Sequence, residues 1–242
     1  MSYLKKINKF IKLILNKVWR VGLINNIAAA VELEDLVKDL HFETVIDVGS
    51  NKGQFILLIE KLFKNKTIYS FEPISEILEK QKEFFKDKKN LFYYNLGIGK
   101  KSEKKKFYIT NRKDSSSFLK VEHNIKGNND YKIEEEREIN IKSLDEVMSD
   151  RGILAPILMK IDVQGFELEV LKGAFNLLEK IKYIIIEVSY DELYSKQPLE
   201  NAITMYLSSK NFKIIKKNSN IYKIPNSNFS QVDVLYKNEL IN

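Results

Sequence analysis

The sequence predicts an α/β protein built on a parallel sheet covered by helices. Three observations predict it. Strand-like and helix-like segments alternate through most of the chain. The run Ile184-Ile185-Ile186 is continuously β-branched, as in a strand buried on both faces. The first strand breaks at IDVGSNKG, residues 46 to 53, into an acid, two glycines and an asparagine. A chain of 242 residues with 44% hydrophobic content suits one well-cored domain, and no repeat or low-complexity linker divides it. The expected organisation is a helical extension over residues 1–40 followed by one domain over 41–242.

The opening MSYLKKINKFIKLILNKVWR places Leu4, Ile7, Ile11, Ile14 and Val18 at helical spacings, with Leu15 widening the stripe and lysines opposite. Lys12 and Lys17 interrupt the roughly 20 apolar residues that a membrane span needs, and break a signal-peptide core equally. Residues 1–20 therefore either lie on an anionic membrane surface or pack against their own domain or a partner subunit. TVIDVG (44–49) is the first strand and Gln54–Phe63 the helix after it; TIYSFE (67–72) and Glu76–Phe85 form the next pair; LFYYN (91–95) is a third strand. From Gly97 to about Ile139 the pattern degrades into turn and charge clusters, expected as a hairpin around KFYIT (106–110) plus a long loop. ILMKID (157–162), a helix from Glu167 to Lys180, YIIIEV (183–188), a helix near 199–210, a strand near 212–217 and VDVLYK (232–237) complete the chain.

Lysine and arginine exceed aspartate and glutamate by 40 to 33, and six of these seven net charges precede the first acid, Glu32. The rest is nearly neutral, which argues against a nucleic-acid partner, since such a domain carries its basic patch on the folded body. The absence of cysteine excludes disulfides, thiolate metal sites and cysteine nucleophiles. It fits a cytoplasmic location, with the basic helix allowing peripheral contact at the inner face of the membrane.

In a doubly wound sheet, ligands bind at the carboxyl ends of the strands, where helix N-termini present free N–H groups. Gly49 and Gly53 permit a tight turn and close ligand approach there, and Asn51 tolerates a left-handed backbone. The pattern is G-x-N-x-G rather than the dinucleotide G-x-G-x-x-G, and no phosphate loop is present. Asp47, two residues before Gly49, is a poor neighbour for pyrophosphate but a good one for a cation. Glu72 ends the second strand in FEP, where an acid can take both hydroxyls of a ribose. Together they describe an adenosine ligand with a positive group and no phosphate, such as S-adenosylmethionine. The competing reading makes Asp47 and Glu72 turn or capping carboxylates.

IDVGSNKG, FEP (71–73), NLGIG (95–99), SSSF (115–118), KSLDEV (142–147), LMKIDVQGFELEVLKGA (158–174) and IIIEV (184–188) follow one another as in FkbM-type methyltransferases, which the chain resembles over roughly residues 42–237. The resemblance implies a class I, Rossmann-like methyltransferase fold: a three-layer sandwich with a seven-stranded, mostly parallel sheet whose last strand is antiparallel. It implies methyl transfer to an oxygen, commonly on a sugar or secondary metabolite, so the expected small-molecule or glycan acceptor is a hydroxyl of a sugar, glycolipid-like or secondary-metabolite molecule. Carried over by position, the cofactor contacts Asp47, Gly49, Ser50, Asn51 and Gly53, then Glu72 and Pro73, then Asn95 at the adenine, with Ser116 in the serine cluster as a further contact. The sequence departs from the family at Ser50, where Ala is usual, and at Gln164, where KIDVEG has Glu, so no acid role carries to position 164.

Methyl transfer from a sulfonium is an in-line displacement helped by positioning and exclusion of water, and an alcohol acceptor must also lose its proton. Asp162 and Glu187 end neighbouring strands. Asp162 is either the general base, or with Glu187 a ligand of a divalent cation such as Mg²⁺, or a cap on the following helix. Lys160 shares a strand face with Asp162 and can pair with it. His123, in the long polar segment, is either a surface residue or a base over the pocket; His41 reads as an ordinary turn residue. Ser115, Ser116 and Ser117 are a turn or a ligand contact, and Glu167 and Glu169 fall in a helical first turn where acids suit the dipole. Two other function classes compete: a nicotinamide oxidoreductase, disfavoured by Asn51, and a non-catalytic membrane-associated cofactor-binding protein.

Overall fold

The computed structural model describes residues 3–121, 131–224 and 229–241. Helices α1 (Tyr3–Leu15) and α2 (Lys17–Ile24) precede a short helix α3 (Glu34–Val37). The single predicted N-terminal helix is divided at Asn16, whose side chain accepts from the N–H groups of Val18 and Trp19 and so restarts the helix as an N-cap. Strand β1 (Thr44–Val48), helix α4 (Gln54–Leu62), strand β2 (Thr67–Phe71), helix α5 (Ser75–Phe84) and strand β3 (Leu91–Tyr94) then follow as read from the alternation.

The segment expected as a hairpin and long loop holds three strands: β4 (Gly97–Ile98), β5 (Glu103–Thr110) and β6 (Ile133–Lys142). They form a separate sheet in the order β4-β6-β5, with β5 and β6 antiparallel. Most side chains of β6 face solvent, and its charges pair across the ribbon, as Glu136 does with Lys106 at 2.7 Å. Its first six residues bury no side chain and so lack the apolar alternation that marks a strand, which is why they read as loop, while Ile139 and Ile141 at its end are buried. His123 lies outside the described residues.

After α6 (Leu144–Met148) come β7 (Ile157–Ile161), α7 (Glu167–Lys172), β8 (Ile181–Ser189), α8 (Glu200–Ser208), β9 (Phe212–Lys217), the two-residue β10 (Tyr222–Lys223) and β11 (Ser230–Asn238). The helix predicted over 167–180 stops at Lys172, and its C-cap Gly173 packs against the backbone of Gly99, where a Cβ would stand 2.0 Å from the Gly99 carbonyl oxygen. The main sheet runs β3-β2-β1-β7-β8-β11, with β9 on the far side of β11 and β10 on the start of β11 as an eighth strand. All pairs from β3 to β8 are parallel, and β11 is antiparallel to both β8 and β9. The expected antiparallel last strand is therefore present.

Alternate residues of each central strand enter opposite cores. Ile46, Met159, Ile184 and Val234 join Val170, Leu171 and Ile203 on one face. Val45, Leu158, Ile185 and Leu235 join Phe55 and Ile56 of α4, Trp19 of α2 and Leu13 of α1 on the other. That period carries Asp47, Lys160, Glu187 and Asp233 onto the second face; the first three lie toward the carboxyl ends of their parallel strands, and Asp233, on antiparallel β11, stands opposite Glu187 at the same edge. Four charged groups thus share one side of an otherwise apolar sheet. Among the described residues, no helix is long and apolar enough to cross a membrane.

Candidate active site at the carboxyl edge of the sheet

A cavity of about 500 Å³ opens over these strand ends, within the roughly 300–1,000 Å³ usual for small-molecule sites. Its floor is the loop after β1. Gly49 has φ +80, and a Cβ there would lie 1.9 Å from the Asp162 carbonyl oxygen, so only glycine lets the two loops touch. The N–H groups of Gly49 and Ser50 both donate to Phe71 O at 3.0 Å, which ties the turn to the end of β2. Asn51 takes the left-handed conformation expected of it, φ 49, and donates its N–H to Glu72 Oε2 at 2.9 Å. Ser50 has a local explanation. Its hydroxyl lies 2.7 Å from that of Ser70 and accepts from the buried Gln81 amide at 3.0 Å, a network that alanine would leave incomplete.

Asp47 is fully buried, and neither carboxylate oxygen has a hydrogen-bond partner. Burial pushes its pKa up to about 6; Lys160 opposes the shift and Asp162 adds to it. An orphaned acid facing a cavity marks a place for a cationic ligand. Glu72 is buried too, but each oxygen accepts one backbone N–H, from Asn51 at 2.9 Å and Ile74 at 2.8 Å. Burial raises it to about 7 in spite of those bonds. Each oxygen keeps a lone pair for a hydroxyl donor.

Pro73, Ser116 and the glycine loop line the same cavity. Ser116 also accepts the Thr110 N–H at 3.1 Å, and Gly53, with φ +90, sits behind the wall against the Phe85 ring as N-cap of α4. Asn95 donates its amide to the carbonyls of Glu72 and Pro73, at 2.9 and 3.0 Å, bracing the FEP turn. Beside it, Leu96, Gly97 and Ile98 form the wall with Ile74, Phe107 and Phe118, an apolar slot whose last two rings meet edge to face.

Asp162, Glu187 and Lys160 converge at the other end. Lys160 Nζ bonds Asp162 Oδ2 at 3.0 Å, the strand-face pairing expected from sequence. Gln164 Nε2 donates both to Asp162 Oδ1 at 2.8 Å and to Glu187 Oε2 at 3.2 Å. Gln231 Nε2 reaches Glu187 Oε1 at 2.5 Å. Burial opposes the Lys160 charge, yet Asp162 and Asp47 raise its pKa overall. Burial, with Asp162 and Asp233 nearby, holds the Glu187 pKa well above the usual carboxylate range.

This donor set does not fit a divalent cation. The oxygens that would ligate it already accept from an ammonium and two amides, and among the described residues no cluster of three acids, histidines or cysteines has metal-holding geometry. Nor does Asp162 cap a helix, since α7 begins at Glu167 with Phe166 as its N-cap. Glu167 instead accepts the Gly165 N–H at 2.9 Å, while Glu169 pairs with Lys172.

Several participants were not legible as such. Gln164 adopts φ 56, and its amide oxygen meets the Tyr194 hydroxyl at 3.0 Å. Asp233, beside Glu187 in register, is raised to about 6 by burial, with Lys160 opposing and Asp162 adding; an acid inside VDVLYK was the available signal. Glu32, Asn26 and Ala30 of the N-terminal segment and Arg112, Asn218 and Tyr222 complete the rim.

The family model described as "Methyltransferase FkbM domain" matches residues 47–214. Among curated proteins, the hexuronic acid methyltransferase AglP of Haloferax volcanii is 25% identical over 209 residues, covering 82% of this chain and 80% of its own. Among solved structures, TehB from Haemophilus influenzae aligns with a TM-score of 0.51 at 12% identity, over 88% of this chain and 63% of its own. Magnesium protoporphyrin IX methyltransferase from Synechocystis PCC 6803 aligns with a TM-score of 0.47 at 11% identity, over 96% and 90%. The likeness to TehB bears on the fold alone, and it agrees with the sheet described above. The fold is the Rossmann-like one of class I methyltransferases, and a nicotinamide oxidoreductase is set aside. The chain belongs to the FkbM methyltransferase domain family.

Proposed function

We propose that the protein is an S-adenosylmethionine-dependent O-methyltransferase whose acceptor is a hydroxyl of a sugar or sugar-bearing molecule. The observation that carries the cofactor assignment is Asp47, a carboxylate with no exposure, no partner and a cavity in front of it. A ligand with an ammonium and a sulfonium supplies the missing charge. Glu72 would take the ribose, and the slot between Ile74, Phe107 and Phe118 would take the adenine. The cavity is also lined by Arg112, Asn218 and Tyr222, side chains of the kind that hydrogen-bond hydroxyls. The AglP relative supports a sugar acceptor.

Bound in this way, S-adenosylmethionine supplies an electrophilic methyl group for a lone pair of the acceptor oxygen. Asp162 takes the hydroxyl proton. It is the carboxylate best placed for that, because it lines the cavity and Lys160 and Gln164 each hold one of its oxygens in position. Lys160 and Gln164 orient the base, and the burial that raises the Glu187 pKa disfavours a second negative charge beside it. Phe107, Phe118 and Leu193 give the cavity apolar wall. The test is incubation with S-adenosylmethionine and a panel of hexuronic acid and neutral-sugar glycosides, read by mass spectrometry. Transfer of one methyl group to a sugar oxygen is expected, and transfer only to non-sugar acceptors overturns the acceptor assignment.

A further inference from the structure

The N-terminal helices are attached to the body by the wrong side for ordinary packing. An amphipathic helix on its own domain turns its apolar stripe inward. Here α1 turns its polar side inward: Lys9 pairs with Glu32 at 2.7 Å and Lys12 with Glu34 at 2.9 Å, and of the apolar side chains described from Ile7 to Leu15 only Leu13 is buried. Ile7, Phe10, Ile11, Ile14 and Leu15 face solvent, with Phe10 54% and Leu15 78% exposed. The ridge continues along α2. Trp19 and Gly22 face the domain, where a Cβ on Gly22 would meet Leu57 at 2.2 Å, while Val18, Val21 and Ile24 face out. An apolar ridge of that extent is left bare on few soluble proteins.

We propose that this ridge docks the protein on an anionic lipid bilayer. The charge beside it selects that partner. Residues 1–31 contain six lysines and arginines and no acid, and Lys17 and Arg20 are exposed next to the ridge. A second copy joined through the same face would bring the exposed Lys17 and Arg20 of both copies toward one another, like charge against like. Anionic headgroups neutralise them while the apolar side chains enter the acyl boundary, as for helices lying in the plane of the interface. Lys9, Asn26, Ala28 and Ala30 of the same segment line the cavity, so docking brings the cavity rim to the lipid surface. On the proposed methyltransferase reading, this favours an acceptor carried on a lipid.

The full chain is sedimented with vesicles of phosphatidylcholine alone and of phosphatidylcholine mixed with phosphatidylglycerol. Binding is expected only to the mixed vesicles. It should drop about ten-fold or more in Phe10→Ser/Leu15→Ser, which removes two exposed apolar anchors, and also in Lys17→Glu/Arg20→Glu. Failure to pellet with the mixed vesicles, equal pelleting of the Phe10→Ser/Leu15→Ser variant, or a dimer that this variant dissociates overturns the proposal. Calorimetry with S-adenosylhomocysteine on the same preparations reports separately on the cofactor site.

Discussion

Asp47 is the residue at which the cofactor reading becomes quantitative. Its pKa rises from 3.8 to about 6 on folding. The shift is upward, so the native state holds the proton more tightly than the unfolded chain. The cost of ionising the buried acid is absent below about pH 4, grows as pH rises and is complete above about pH 6. Two pKa units correspond to about 3 kcal/mol at pH 8, of which about half is already present at pH 5. Asp47→Asn removes this pH-dependent cost and adds a fixed one for its amide, which cancels in the comparison. The Tm of the variant relative to wild type should therefore rise between pH 5 and pH 8 by the equivalent of about 1.5 kcal/mol, roughly 3–6 °C for a chain of this size. Thermal melts of the ligand-free protein across that range provide the assay. Calorimetry should in parallel show S-adenosylmethionine binding weakened by about 10- to 100-fold, the worth of one charge-assisted bond. A Tm difference independent of pH, or unchanged affinity, would refute the claim that this carboxylate waits for a cation.

Glu72→Ala strands two buried N–H groups, those of Asn51 and Ile74, so denaturant melts should show a loss of about 2–5 kcal/mol. S-adenosylmethionine affinity should collapse with it, and unchanged affinity in the folded variant would sink the ribose assignment. Asp162→Asn should bind the cofactor within a few-fold of wild type while turnover falls by about 10²–10⁴; full activity rules out the base. Gln164→Glu replaces the amide that donates to Asp162 and Glu187 with a third carboxylate. Its Tm should fall more at pH 8 than at pH 5, and equal losses at the two pH values would show that Gln164 does not separate the two acids.

Much of the sheet is legible because its strands are buried on both faces. Runs such as Ile184-Ile185-Ile186 leave no other interpretation, and the polar residues that interrupt such runs, Asp47 and Glu72, stand out at once. Strand β6 is hidden for the opposite reason: exposed on most of its length, it presents the charges of a loop. The periodicity of residues 1–20 identifies an apolar stripe but carries no information on which way it faces, because Lys9 and Lys12 find their partners only in the fold. The part of Gln164 depends on a left-handed turn and on Tyr194, thirty residues along the chain. Asn95 has the residue type for an adenine contact, whereas its amide is occupied by the backbone of the preceding turn. Tertiary partners decide each of these roles, and local pattern does not encode them.

The most direct measurement is titration of the ligand-free protein with S-adenosylmethionine, with NAD as the comparison ligand. One saturable site for S-adenosylmethionine, weakened about 10- to 100-fold in Asp47→Asn, lost in Glu72→Ala and with no heat from NAD, is the predicted result. Absence of S-adenosylmethionine binding by a folded wild-type protein, or affinity left unchanged by both substitutions, would contradict the account.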